Sequence, residues 1–530
     1  WAIVAYILDV TQTRHAIRRN YPVIGRFRYL FEHLGEFFRQ YFFAMDREEL
    51  PFNRAQRSWV YRAAKNLGNT IAFGSTRNLN TPGTVVFVNC PFPTLSKDAV
   101  EPGNITIGVD YCDKPYTTSS LFNISGMSYG AISIPAVRAL SMGAAKAGCW
   151  LNTGEGGLSP YHLEGNCDLV FQIGTAKNGV RDLEGNLNDD RLREIAAHHS
   201  VKMFEIKLSQ GAKPGKGGIL PGSKVNAEIA QIRGIPPGVD AISPNRHPDI
   251  RNNRDLLAMI HHIRRVTGKP VGFKAVISDP GWLQQLFSEI RAQGLEYAPD
   301  FIAVDGAEGG TGAAPMPLMD DMGIPLRESL PMLVDQLTAH GLRKRIRVIA
   351  SGKLVTPTDV AWALCVGADF VASARGFMFA LGCIQALQCN RNTCPTGITT
   401  HDEKLQRGLH PPSKAERVAQ YAKNLTKEVG IIAHACGVRS PRELRRFHAQ
   451  VVQHPTDGIG HHRRAAFIKG FPEIAAEKVR QKHPNSDKHD NQRPDIRPTL
   501  IVAGLVLVVK DQPDPADDRT GDHQIEYAAD

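Results

Sequence analysis

The chain has 530 residues, 42% of them apolar and 22% charged, the composition of a soluble globular protein too long for one ordinary core. The formal net charge of +10 is scattered along the chain and suits an acidic partner. Neither zinc-finger spacing nor an RNA-binding aromatic signature is present, which excludes nucleic acid, and nine irregularly spaced cysteines make no disulfide framework and point to a reducing, cytoplasmic compartment.

The first element, WAIVAYIL (Trp1–Leu8), is apolar and runs into a basic stretch with Arg14, Arg18 and Arg19. It is shorter than the about 20 residues a membrane span requires. Two readings stand: the end of a truncated span, anchoring the chain to the inner face of the membrane with the arginines on the cytoplasmic side, or the buried first turn of a soluble helix. Residues 1–117 as a whole read as a helical N-terminal extension.

From 118 to 400 short apolar runs alternate with helical stretches: LFNISGMS, CWLNTGEGG, LVFQIGT, MFEIKLSQG, VDAISP, VGFKAVI, FIAVDGAEGG, RVIASGK and ADFVASARG. This alternation predicts an α/β fold, a (β/α)8 TIM barrel. The candidates number one more than the barrel needs. LVFQIGT is short and precedes the turn-rich AKNGVRDLEGN, so it is expected to be an excursion. Residues 401–480 read as C-terminal amphipathic helices, one starting at Ser440 with Pro441 and Glu443 as its capping signals. Residues 481–530 read as a polar linker and tail, in which Leu500–Val509 is a strand or a docking segment.

In such a barrel the site lies at the C-terminal ends of the strands. Ser351, Gly352 and Lys353 follow the penultimate strand and Arg375 the last, where a phosphate site or ordinary turns are expected. The loop Asp305–Pro315, with Gly309 and Gly310, reads as a close approach to a ligand or as a flexible lid. The loop Gln210–Gly222 offers Lys213 and Lys216 to a carboxylate or phosphate, or simply to water. Lys207 and Lys274 lie inside apolar strands, so each either meets an anionic ligand in the lumen or faces solvent. Glu155 ends a strand between glycines, as a proton-handling or ammonium-binding carboxylate or as a turn residue.

Cys383, Cys389 and Cys394 fall within GCIQALQCNRNTCPTG, separated by five and then four residues. Converging thiolates suit an iron–sulfur cluster. Zinc with His401 as fourth ligand, or a structural role, remains open on spacing alone.

Taken in order, MSYGAIS, NTGEGG, IKLSQGAKPGKGGILPG, ISPNRHPDI, DGAEGGTGAAP and LGCIQALQCNRNTCPTGITT give the segment from about Ser125 to Thr400 its character, and it resembles the FMN-binding synthase domain of glutamate synthase. The resemblance implies a barrel with FMN in its mouth and a [3Fe–4S] cluster on Cys383, Cys389 and Cys394. It implies that Met127, Ser128, Gly130 and Ala131 line the flavin, Lys207 faces its pyrimidine side, and Ser351, Gly352 and Arg375 approach the phosphate. Lys274, Gly309 and Gly310 complete that site. For a 2-oxoglutarate site the matching positions are Glu155, Gln210, Lys213 and Arg233, with Glu155 and Lys213 as the catalytic pair.

Two departures from the family pattern carry expectations. Lys216 and Ile219 stand where the family loop usually has glutamate and glutamine, which is expected to remove a hydrogen bond and alter substrate choice. The residues before the barrel are too few for a glutaminase domain, so ammonia is expected from solution or from a separate amidotransferase, unless another amine replaces it. The resemblance also extends to stand-alone relatives with an N-terminal hydrophobic segment, which implies membrane association. The expected activity is reductive amination of 2-oxoglutarate to L-glutamate through 2-iminoglutarate, with electrons from a donor such as ferredoxin or a reductase subunit. The alternatives are synthesis of an N-substituted glutamate from another amine, or a flavin and iron–sulfur electron relay.

Overall fold

A computed structural model describes residues 1–452 of the chain. Eight short parallel strands form a closed barrel: β1 (Phe122–Ile124), β2 (Leu151–Asn152), β3 (Leu169–Ile173), β4 (Val201–Lys207), β5 (Val271–Ala275), β6 (Phe301–Asp305), β7 (Arg347–Ser351) and β8 (Phe370–Ser373). Each pairs with its neighbour in sequence and β8 returns to β1, so the fold is the expected (β/α)8 barrel with helical extensions at both ends.

The barrel has one surprise. LVFQIGT is β3, not an excursion: it lies between β2 and β4 and is buried on both faces. Its outward side chains Leu169, Phe171 and Ile173 join the helix-facing core, while Val170 enters the lumen. A strand buried on both sides has no polar alternation to announce it, which is why its brevity misled. The surplus candidate is VDAISP. There Ala241–Ile242 pairs antiparallel with Ile219–Leu220 in a two-stranded sheet outside the barrel, leaving Ile242 exposed.

Alternation along the strands divides the lumen into two layers. At the N-terminal end Trp150, Val170, Met203, Phe301, Ile349 and Phe370 pack into an apolar plug. The antiparallel pair Ile105–Ile107 and Tyr116–Thr118 closes this end, with Ile107 and Tyr116 in the same cluster. Above the plug the inward residues turn polar: Asn152, Gln172, Glu205, Lys207, Lys274, Asp305 and Ser351, all buried.

The helix Pro411–Ala435 lies against Ile134–Ala147, and a side chain at Gly143 would run into Val418 at 2.5 Å, so glycine sets this close crossing. The helix Arg54–Ala64, started by an Asn53–Gln56 capping box, packs on the same long helix through Trp59 to Glu428 (3.0 Å) and Asn424 to the Ala63 carbonyl (2.8 Å). The helix expected after Ser440 is a single 3-10 turn, Pro441–Glu443, without a side-chain cap. Arg442 draws it onto the barrel by donating to the carbonyls of Gly103, Ser119 and Asp369, and the chain continues as Ala449–Val451, paired antiparallel with Val85–Phe87. The expectations for residues 453–480 and 481–530, including Leu500–Val509, lie outside the described residues.

The first helix, Ala2–Thr11, docks on Gly25–Phe38 through Asp9, which accepts from Arg26 at 2.8 Å and the Val23 N–H at 3.0 Å. Ile3, Val4, Ile7 and Leu8 are exposed, so the run is not a buried first turn. Among the described residues no helix is long and apolar enough to cross a membrane.

Because Phe171 is fully buried and packs against Phe204 with ring centroids 5.8 Å apart, Phe171→Ala is expected to destabilise the protein by about 3–5 kcal/mol. A denaturation midpoint left unchanged would remove β3 from the barrel core.

Candidate functional site at the barrel mouth

Parallel pairing sets Lys207 of β4 beside Lys274 of β5 at the upper rim of the lumen. Each ammonium finds a carboxylate. Lys207 meets Glu155, from the loop after β2, at 3.0 Å. Lys274 reaches Asp305 at the end of β6 and the Ser125 hydroxyl, both at 3.4 Å. Neither lysine faces open solvent.

Glu155 sits in a fitted slot: a side chain at Gly174 would meet its Cβ at 2.6 Å, and one at Gly218 would meet its carboxylate at 2.6 Å. Burial acts to raise its carboxyl, but Lys207, then Lys213 and Arg233, together hold it below the ordinary value. Asp305 is likewise held low against burial, by Lys274, the Gly211 N–H and Ser351. Glu205, one layer deeper, accepts from Asn152 (2.9 Å) and Gln172 (2.7 Å).

Lys213 is buried and donates to the Ala313 carbonyl at 3.2 Å, tying the loop after β4 to the loop after β6. Burial and the nearby Lys207 depress it. Arg233 ends the helix Ala227–Arg233 and donates through Nη2 to the Tyr129 carbonyl at 3.0 Å, while its Nε is buried without a partner. Gln210 lies half-buried on the same loop as Lys213. Lys207, Lys213, Lys274, Arg233, Lys353 and Arg375 thus outnumber the carboxylates Glu155, Glu205, Asp305 and Glu308 by two charges. The mouth is built for an anion.

Several glycines there serve loop packing. A side chain at Gly154 would strike the Ser128 N–H at 2.5 Å, locking the loops after β1 and β2 together. One at Gly211 would come within 2.6 Å of the Gly309 backbone. Gly352, with φ +126°, backs onto Gly306, and Gly310 backs onto Arg375. Arg375 donates to the Glu308 carbonyl at 2.6 Å and stacks on Phe52, 4.6 Å from the ring centroid. Burial lowers it to about 10, against the pull of Asp305 and Glu308. Met127 is buried, Ser128 and Ala131 are half-buried, and Gly130 turns with φ +100°. Ser351 ends β7 with its hydroxyl on Asp305. Lys216 and Ile219 are exposed, so neither departure takes a buried partner from the mouth.

The cysteine loop leaves the helix Arg375–Leu381 and is braced from three sides. Tyr61 donates to the Cys383 carbonyl at 2.6 Å, and Gln385 binds the Glu49 carboxylate (2.9 Å) and the Phe52 carbonyl (3.1 Å). Ser133 donates to the Gly397 carbonyl at 2.7 Å. Lys224 donates to the carbonyls of Cys389 (2.9 Å) and Thr399 (2.7 Å). The thiols act on one another: burial, then Cys389 and Cys394, raise Cys383 to about 12. Burial also acts to raise Cys394, but Thr396 and Thr399 bring it down to about 7. Among the described residues no three His, Cys, Asp or Glu side chains converge in metal-ligating geometry. The ring of His401 bonds the Gly130 carbonyl through Nε2 at 2.8 Å. Tyr61, Lys224 and Gln385 gave no sequence signal, because each is recruited by a partner 165 or more residues away.

The sequence family described as the conserved region in glutamate synthase matches residues 93–439, which include the whole barrel and the cysteine loop. The glutamate synthase large subunit-like protein YerD of Bacillus subtilis is 40% identical over 491 residues, 86% of this chain and 92% of its own length. An archaeal-type glutamate synthase (NADPH) of Thermotoga maritima is 35% identical over 324 residues, and the archaeal glutamate synthase (NADPH) of Methanocaldococcus jannaschii 37% identical over 328. The match spans 61% of this chain and 60% of each of those two proteins. A barrel mouth with an excess of buried cations, a three-cysteine loop braced against it, and this breadth of similarity lead to one assignment: the chain belongs to the glutamate synthase family.

Proposed function

We propose that the protein is an oxidoreductase that reductively aminates 2-oxoglutarate to L-glutamate. One observation carries this reading: Glu155 is half-buried, held ionised and ringed by Lys207, Lys213 and Arg233, with positive charge left over for a dicarboxylate. Lys213 and Arg233 bind the two substrate carboxylates, the unpartnered Nε of Arg233 supplying a second donor for a bidentate contact. Lys207 keeps Glu155 an acceptor, so it holds the N–H groups of ammonium and then of the imine. Ammonia adds to the ketone carbon and water leaves. The carbon of 2-iminoglutarate then takes a hydride and its nitrogen a proton, which completes glutamate.

The residues present fit FMN in the mouth, with Ser128 and Gly130 on one side and Ser351, Gly352 and Arg375 on the other, the guanidinium offered to its phosphate. A [3Fe–4S] cluster is supported by donor chemistry: three thiols on one loop, at Cys383, Cys389 and Cys394. FMN supplies the two-electron hydride donor and the cluster the single-electron entry from an external donor. The exposed apolar face of Ala2–Thr11, with Arg14, Arg18 and Arg19 beyond it, supports attachment of the N-terminus to a membrane surface.

Reduced anaerobically, the protein is expected to be reoxidised on addition of 2-oxoglutarate with ammonium, forming glutamate. Reoxidation by another primary amine in place of ammonium would favour the N-substituted product; cofactors that stay reduced with every amine would overturn catalysis in favour of a relay. Lys213→Met and Arg233→Met are each expected to raise KM for 2-oxoglutarate about tenfold or more, the loss of a hydrogen bond to a charged group. Cys389→Ser should abolish cluster absorbance and spare FMN, and a surviving cluster signal would reject the ligand assignment.

The depressed carboxyl of Glu155 stabilises the fold above its unfolded value of 4.5, and this contribution is lost as pH falls through the lower folded value. Glu155→Gln is therefore expected to melt below wild type at neutral pH, with the gap closing in acid; a gap independent of pH would contradict it. Ile7→Glu with Leu8→Glu should reduce co-sedimentation with anionic vesicles, and unchanged binding would dismiss the attachment.

A further inference from the structure

Under the cysteine loop a buried cation has no ion-pair partner among the described residues. Lys224 ends the turn Gly222–Lys224, between the strand Ile219–Leu220 and the helix that carries Arg233. It is 3% exposed. Its ammonium donates to the carbonyls of Cys389 and Thr399, the thiols of Cys389 and Cys394 lie near enough to act on it, and the His401 ring lies within reach of its charge. Burying a lone ammonium in a protein interior is strongly unfavourable unless a negative charge is placed beside it. Two carbonyl dipoles orient Lys224 but do not neutralise it.

We propose that Lys224 is the counter-charge of the cysteine-held cluster, a positioning residue that raises the potential at which the cluster accepts an electron. The inference rests on the reading of Cys383, Cys389 and Cys394 as its ligands. A cluster on three thiolates is negatively charged, and reduction adds one more unit. A fixed ammonium against the Cys389 end of the loop stabilises the reduced form more than the oxidised one. The electron enters from the external one-electron donor and leaves to the flavin.

The same residue joins two parts of the site. The chain from β4 to Arg233 carries Lys213, packs Gly218 on Glu155, and then places Lys224 under the cysteine loop. A change of charge at the cysteines is thus felt directly by the segment proposed to bind the oxo acid.

Lys224→Gln keeps hydrogen-bond donors and removes the charge; Lys224→Arg keeps both. Each would be prepared anaerobically beside wild type, assayed for iron, acid-labile sulfide and FMN, and titrated potentiometrically with EPR detection of the cluster. Lys224→Gln is expected to lower the cluster potential by about 59 mV or more, a tenfold change in a one-electron equilibrium, with Lys224→Arg near wild type and FMN content unchanged. Failure of Lys224→Gln to load a cluster that Lys224→Arg does load would equally support the counter-charge. A wild-type potential in Lys224→Gln, or a shift or loss shared equally by both variants, would overturn it. Wild-type protein that takes up neither iron nor sulfide would instead overturn the cluster reading, and this inference with it.

Discussion

Two ammonium groups held side by side at the rim of a closed barrel are the constraint from which the rest of the site follows. The register of β4 on β5 leaves Lys207 and Lys274 no way to turn apart, because alternation has already pointed both into the lumen. Each therefore needs a carboxylate delivered from elsewhere. The loop after β2 supplies Glu155 and the end of β6 supplies Asp305. Those two demands fix the loops, and the loops bring Lys213 and Arg233 into range. A mouth assembled this way carries an excess of positive charge.

The cysteine loop is a second structure laid against the first. Its braces come from the N-terminal segment (Glu49, Phe52 and Tyr61), from the loop after β1 (Ser133) and from the segment after β4 (Lys224). His401 closes the circuit on the Gly130 carbonyl. The N-terminal extension is thus part of the site as well as of the fold, since Phe52 also carries the Arg375 guanidinium on its ring. Residues far apart in sequence together hold a short, cysteine-bearing loop at a set distance from the barrel mouth.

Much of this was legible in the chain itself. The alternation of strands and helices announced the barrel, and glycine-flanked Glu155 and strand-borne Lys207 announced the mouth. The failures were physical in origin. β3 is buried on both faces, so Leu169–Ile173 lacked the polar alternation that marks a half-exposed strand. Ala241–Ile242 has strand chemistry but serves a two-stranded sheet outside the barrel. Ser440 carried the capping signals of a helix that Arg442, by seizing three carbonyls, cuts to a single turn. Lys224 was silent because a lysine after a Pro-Gly-Ser turn looks like any surface lysine until the cysteine loop covers it.

The plug at the N-terminal end of the lumen has a consequence for traffic. Trp150, with Tyr116 on one side and Phe370 on the other, leaves no passage through the floor of the barrel. Whatever reacts at the rim is therefore denied the route along the barrel axis from below, and must pass among the loops that follow the strands.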